Sequence, residues 1–341
     1  MSAFLLQFEC DMDDKTFLLE KIKAEGFKYR YIETNRNSYA VCMGNDEYDI
    51  RNLGNLPGIK DVHFIDDSYV LVSRMWRTQD TVIEFPDGIT ISRNDLTIVA
   101  GPCSVESEEQ VVETVNILKQ TGVKFMRGGV FKPRSSPYSF RGLGIEGLKF
   151  FSKHCRDNNI KVVTEVMDNS QIEKMYDYVD VFQVGARNMQ NFDLLDALGK
   201  VDKPVLLKRG LSATLDELLS SAEYVFSGGN EDVILCERGV RGFDKTFRNT
   251  LDLNAIPYLK EKSHLPVFCD PSHGVGIRKY VEVMALAAIM ASADGILLEI
   301  HLTPEKAFSD GFQTLSFNEF VDAAERMRET FRFRKSLFRT C

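Results

Sequence analysis

From residue 96 onward, eight short apolar runs alternate with longer helix-patterned stretches, and few folds accept that rhythm. The runs are LTIVA, KFMRG, KVVTE, VFQVG, PVLLK, VILCE, PVFCD and GILLE. Each has the length of a buried strand, and stretches such as SEEQVVETVNILKQTG and YVEVMALAAIMASA between them have helical periodicity. Eight β/α units over about 245 residues match the size of a closed (β/α)8 barrel. A doubly wound open sheet is the competing arrangement, but no GxGxxG follows the first strand and eight even units favour closure. The expected fold is therefore α/β, a (β/α)8 TIM barrel over residues 96–341 preceded by a small α+β domain.

That small domain, residues 1–70, reads as β-α-β-β-α-β. FLLQFE is a strand, and DDKTFLLEKIKAEG is a helix opened by Asp13/Asp14 and stopped by Gly26. FKYRYIE and SYAVCMG form a hairpin pair, EYDIRNLGNL a short helix and IKDVHFI a closing strand. The order is that of a ferredoxin-like split βαβ. Residues 71–95 read as a linker and a hairpin around Pro86-Asp87-Gly88.

Composition removes several function classes. No apolar stretch approaches the roughly 18–20 residues that span a bilayer. The N-terminus lacks a basic signal-peptide region, so a cytoplasmic protein is expected. A net charge of −8 argues against a non-specific nucleic-acid binder. Seven scattered cysteines without a CxxC pair argue against a disulfide framework or a zinc ribbon.

In a barrel of this type the chemistry sits at the C-terminal ends of the strands. Every strand here ends on a polar or charged group: Cys103, Arg127, Glu165, Gln183, Lys208, Glu237, Asp270 and Glu299. A single charge after a strand is usually a solvated loop residue, as Arg209 could be, but eight on one rim form a site. Arg127, Lys132, Arg134, Arg187, Lys208 and Arg238 would repel one another unless a polyanion neutralises them, which implies a substrate carrying phosphate and carboxylate. Strands 7, 8 and 1 are neighbours after closure. That brings Cys103, His273 and Glu299 together with Asp310 from the next loop, a thiolate, an imidazole and two carboxylates suited to a divalent ion. Asp310 could instead cap a turn beside Gly311. Cys103 could instead be a nucleophile with His273 as its base, but a thiol hydrolase needs neither six cations nor two further carboxylates.

IVAGPCSVE, MRGGVFKPRSSPYSF, QVGARNMQN, PVLLKRG, ILCERG, DPSHG and SDGFQTL together resemble the 3-deoxy-D-arabino-heptulosonate 7-phosphate (DAHP) synthases. The resemblance runs over about residues 1–330 and is to the short type Iβ group with an N-terminal ferredoxin-like regulatory domain. It implies condensation of phosphoenolpyruvate with erythrose 4-phosphate and water at one divalent metal (Mn, Fe, Zn or Co), opening the shikimate pathway. Carried over by position, the metal ligands fall on Cys103, His273, Glu299 and Asp310. The phosphoenolpyruvate contacts fall on Arg127, Lys132, Arg187, Lys208 and Arg238, and the erythrose 4-phosphate contacts on Lys132, Pro133, Arg134 and Ser135. Ser135 stands where threonine is usual, which keeps the hydroxyl, and Leu302 stands where many relatives have proline. Lys132 or Glu165 would handle the proton of the attacking water, and His273 completes the catalytic set. The resemblance further implies a homotetramer and a module that binds tyrosine or phenylalanine and caps the barrel mouth. A sister family, the 3-deoxy-D-manno-octulosonate 8-phosphate synthases, uses arabinose 5-phosphate; KPRSSPYSF differs from its KANRSS-like loop. Two other readings are a Schiff-base aldolase acting through Lys208 and a non-catalytic effector-binding barrel.

Overall fold

The computed structural model describes residues 2–338 except 10–14, 45–48, 50, 66–68, 75, 133–137 and 139. The chain starts with β1 (Ser2–Phe8), α1 (Thr16–Ala24), β2 (Lys28–Glu33), β3 (Ser38–Gly44), α2 (Arg51–Gly54) and β4 (Ile59–Phe64). These strands form one antiparallel sheet of order β2-β3-β1-β4. Phe4, Leu6 and Phe8 alternate onto its inner face, where Leu18 and Ile22 of α1 cover them. Asp13 and Asp14, expected to open α1, lie outside the described residues. Lys15 stands at its N-cap without a side-chain hydrogen bond, and Gly26 follows the C-cap residue Glu25.

A two-stranded hairpin, β5 (Ile83–Glu84) with β6 (Thr90–Ile91), turns through the Pro86-Asp87-Gly88 segment as expected. The barrel follows: β7 (Thr97–Gly101), β8 (Phe125–Arg127), β9 (Lys161–Val166), β10 (Val181–Val184), β11 (Val205–Lys208), β12 (Val233–Glu237), β13 (Val267–Cys269) and β14 (Gly295–His301). All eight pair in parallel, and β14 pairs with both β13 and β7, so the sheet closes. Each expected apolar run becomes a strand, with ends shifted by no more than two residues.

The connecting helices are α3 (Glu108–Thr121), α4 (Gly144–Arg156), α5 (Asn169–Tyr176), α6 (Phe192–Leu198), α7 (Leu215–Ser227), α8 (Ala255–Lys262), α9 (Pro271–Val275), α10 (Arg278–Met290) and α11 (Phe317–Leu337). Local chemistry sets many of their limits. Ser107 caps α3 by accepting from Gln110 N and Gly122 ends it in the left-handed conformation, while Thr214 and Ser316 make capping boxes on α7 and α11. None of the described helices is long and apolar enough to cross a membrane.

The barrel lumen is layered. Val99, Phe125, Val163, Val181, Leu206, Ile234, Phe268 and Leu297 point inward near the N-terminal ends of the strands, and Ile83, Phe85 and Ile91 of the hairpin pack against them. The hairpin is thus an apolar plug. Two residues further along most strands the same inward face becomes polar, because strand side chains repeat every second residue.

The antiparallel sheet docks at this plugged end. Its β2–β3 turn meets the segment before β12, where Asn37 Nδ2 and the Tyr39 hydroxyl donate to Glu231 at 3.1 and 3.2 Å and Arg36 pairs with Asp232. Arg77 adds a bond to Glu231 at 3.2 Å. Leu71 and Val72 donate their backbone N–H groups to Glu223 of α7, and Leu71 O bonds His264 Nε2 at 2.7 Å. Within one chain, then, the sheet sits opposite the barrel mouth instead of capping it. The cause is that the acidic pair matching the Thr34–Asn37 turn lies before β12, not after it.

Candidate active site

At the other end, the side chains following the apolar layer enclose a cavity of about 250 Å³. Seven lysines and arginines line it against two acidic residues, Glu165 and Asp310. Arg127, Lys132, Arg187, Lys208 and Arg238, five of the six expected cations, contribute, as do Glu165 and Gln183. Arg127, Gln183, Lys208 and Arg238 are buried, while Arg187 stands exposed at the rim. Burying so many cations is costly unless each is paired. Arg127 Nη1 donates to Glu299 Oε1 at 2.6 Å, and Lys208 pairs with Asp270. Among the described residues, Arg238 donates hydrogen bonds to backbone carbonyls alone, Gly239 O at 3.0 Å and His273 O at 3.4 Å. Burial lowers its pKa, and Arg248 pushes it the same way against the pull of Asp270. A guanidinium in that position has donors to offer an anion.

Cys103, His273, Glu299 and Asp310 converge on one wall, each with a donor atom within 4.8 Å of the others. Cys103 Sγ donates to Asp310 Oδ2 at 3.1 Å, and His273 Nε2 lies 3.2 Å from Glu299 Oε1. Lys132 Nζ bonds Cys103 O at 2.9 Å and Sγ at 3.2 Å. Four donors of mixed softness at this spacing fit a divalent ion. The Asp310 carboxylate accepts from Cys103 Sγ and from Arg248 Nη1, both side-chain donors and not the backbone N–H groups a turn cap would bind.

The groups behind the donors are equally ordered. Asp270 Oδ2 lies 2.8 Å from His273 Nδ1, which turns Nε2 toward the site, and Ser272 Oγ accepts from Glu299 N at 3.0 Å. Burial lowers the His273 pKa even against the pull of Asp270 and Glu299, so its imidazole is a neutral donor near pH 7. Burial raises the Glu299 and Asp310 carboxyls. The positive charge of protonated His273 and of Arg127 more than offsets this at Glu299, as that of Arg248 and protonated His273 does at Asp310, so both fall below their ordinary values. The Cys103 thiol is pushed up to about 12, first by burial and then by Glu299.

Several residues at this site went unread in the sequence, Leu211 and Arg241 of the cavity lining among them. Arg248 and Asn249 come from the long β12–α8 loop, and Gln313 from the turn after Asp310; none follows a strand or a periodic pattern. Arg209 proves structural, its Nη1 pairing with Glu237 at 2.9 Å and Asp252 at 3.1 Å. Pro133, Arg134 and Ser135 lie outside the described residues.

Comparison with known proteins agrees with this geometry. The model of the DAHP synthetase I family matches residues 80–336. A phospho-2-dehydro-3-deoxyheptonate aldolase from Thermotoga maritima is 45% identical over 288 residues, covering 84% of this chain and 85% of that protein. A crystal structure of the Thermotoga maritima DAHP synthase superposes with a TM-score of 0.77 at 39% identity, covering 96% of this chain and 97% of the other. More distant is a 2-dehydro-3-deoxyphosphooctonate aldolase from Syntrophobacter fumaroxidans, 31% identical over 72% of this chain and 90% of its own length. With the matched region spanning the whole barrel and its charged mouth, the chain belongs to the DAHP synthetase I family.

Proposed function

We propose that the protein condenses phosphoenolpyruvate with erythrose 4-phosphate and water, giving DAHP and inorganic phosphate at the head of the shikimate route to aromatic amino acids. One observation carries this reading: seven cations converge on a cavity whose wall includes His273 and Asp310, with donor atoms of Cys103 and Glu299 within 4.8 Å of theirs. Those four would hold a divalent ion such as Mn, Fe, Zn or Co, whose chemistry is Lewis-acid activation of the aldehyde oxygen.

Arg127, Lys132, Arg187, Lys208 and Arg238 bind the phosphate and carboxylate of phosphoenolpyruvate and stabilise the departing phosphate. C3 of that substrate is itself the nucleophile, so no protein nucleophile is required. A Cys103 thiol pushed up to about 12 suits a donor whose proton is released to solvent when a cation binds its sulfur, and not a thiolate nucleophile at neutral pH. Lys132, Pro133, Arg134 and Ser135 receive the aldehyde substrate. Water adds at C2, with Glu165 or Lys132 moving its proton; a Lys132→Met enzyme with normal turnover would assign that step to Glu165. Lys208 is committed to a buried ion pair with Asp270, which disfavours its use as a Schiff-base amine.

The deciding assay follows phosphate release from phosphoenolpyruvate with erythrose 4-phosphate and, separately, arabinose 5-phosphate. Release with the first sugar alone, abolished by chelator, is expected. Preference for arabinose 5-phosphate would place the chain with the octulosonate enzymes, and chelator-resistant activity would remove the metal.

The N-terminal sheet is read as a ferredoxin-like regulatory module for tyrosine or phenylalanine, in a cytoplasmic homotetramer. A chain lacking residues 1–70 should remain active and lose its response to both amino acids; an unchanged response rejects the regulatory role.

A further inference from the structure

We propose that Arg248 is a positioning residue for the four-donor site, holding Asp310 directly and Glu299 through Gln313. The inference rests on the reading of Cys103, His273, Glu299 and Asp310 as a divalent-cation site.

Asp310 has φ of +56°, a left-handed backbone that costs a non-glycine residue free energy and persists where neighbours enforce it. Its carboxylate is pinned from both sides. Oδ2 accepts from Cys103 Sγ, and Oδ1 accepts from Arg248 Nη1 at 2.9 Å. The same Nη1 donates to Gln313 Oε1 at 2.7 Å, and Gln313 Nε2 donates to Glu299 Oε2 at 2.6 Å. A glutamine amide has one accepting and one donating end. With its oxygen taken by Arg248, the amide turns its nitrogen to Glu299; reversed, it would set an oxygen against a carboxylate. Gln313 and Glu299 are both buried, so water offers little substitute. The other Glu299 oxygen is held by Arg127, which leaves Arg248 and Gln313 in control of the second.

Arg248 can act this way because its own loop is fixed. Val240 and Thr250 bridge across the loop, and Arg248 N donates to Val275 O at 3.1 Å. The next residue, Asn249, donates Nδ2 to His273 O at 2.9 Å. One cavity-lining loop therefore touches the residues that carry two of the four donors, Asp310 and His273, and reaches a third, Glu299, through Gln313. Without this relay Asp310 is free to leave its left-handed conformation and Glu299 to rotate.

A mere neighbouring charge would behave oppositely. Removing a cation from beside a metal site strengthens cation binding, whereas removing a positioning group weakens it. The test uses the full chain stripped by chelator and titrated with Co²⁺ alone, against a competing chromophoric chelator. Wild type should bind Co²⁺ with a thiolate-to-metal absorption band from Cys103; no Co²⁺ binding by wild type would sink the cation-site reading itself. Arg248→Met should raise the Co²⁺ dissociation constant about 10- to 100-fold. It should keep the thiolate band, change the d–d bands, and melt like wild type when metal-free. Gln313→Met should weaken binding less, because Asp310 keeps its arginine, and it carries the test if Arg248→Met does not fold. Restored affinity in Arg248→Lys would support the positioning role. Unchanged or tighter binding in Arg248→Met, or in Gln313→Met where only that variant folds, overturns the proposal.

Discussion

Cys103 sits behind Gly101-Pro102 with its sulfur 3.1 Å from Asp310 and 3.2 Å from Lys132 Nζ. Its thiol carries a proton at neutral pH, being pushed up to about 12 by burial and Glu299, while His273 is already neutral and Glu299 and Asp310 already ionised. A metal ion must displace that proton, so affinity should rise about tenfold per pH unit through the neutral range, with one proton released per ion. Calorimetric titration in two buffers of different ionisation enthalpy counts the proton; release of none would take Cys103 out of the site. Cys103→Ser should lower metal affinity, and excess metal should restore part of the turnover. Full metal affinity with no turnover in that variant would instead revive the nucleophile. The four donors were legible because strand ends are fixed by apolar runs and barrel closure makes strands 7, 8 and 1 neighbours. Arg248 and Gln313 were not, because their places depend on loop paths that no periodicity encodes.

Individual strands show why the polar rim follows from the apolar floor. Val163 to Glu165, Val181 to Gln183, Leu206 to Lys208 and Leu297 to Glu299 are each two-residue steps on one inward face. An apolar run ending in a charge therefore marks both a strand and a side chain in the lumen. What such runs leave out is how closely neighbouring strands approach, and two glycines measure it. A Cβ on Gly101 would lie 2.0 Å from the backbone oxygen of Arg127, across the β7–β8 pair. Gly101→Ala should destabilise the barrel by about 1–3 kcal/mol or more, read by denaturant titration. A Cβ on Gly185 would lie 2.1 Å from Glu165 Oε1, the mobile end of a side chain in the cavity. Gly185→Ala should melt near wild type yet turn over more slowly, because the displaced group is Glu165. Equal loss of stability in the two variants would contradict this distinction.

At the scale of the whole molecule, the N-terminal sheet and barrel are joined through buried polar contacts at the plugged end. His264 is central there, with Nε2 2.7 Å from Leu71 O and Nδ1 2.7 Å from Thr81 Oγ1. Burial lowers its pKa to about 3, against about 6.5 in an unfolded chain. The unfolded state therefore takes up the proton first as pH falls, and His264 destabilises the fold progressively below about pH 6.5. The stability advantage of wild type over His264→Asn should shrink on acidification from pH 7 to 4; parallel melting curves for the two would refute the assignment. Little of this junction could be read beforehand, since it pairs a turn at 34–37 with acids at 231–232 that no local pattern connects. The hairpin of Ile83, Phe85 and Ile91 has one last effect. It makes the reaction chamber a cul-de-sac: whatever lodges deepest must arrive first and leave last. Arg127 and Lys208, at the ends of their strands, are the deep cations, and Arg187 stands at the rim. Turnover through a single doorway should be ordered, with the deeper substrate preceding its partner, and product-inhibition patterns will report that queue.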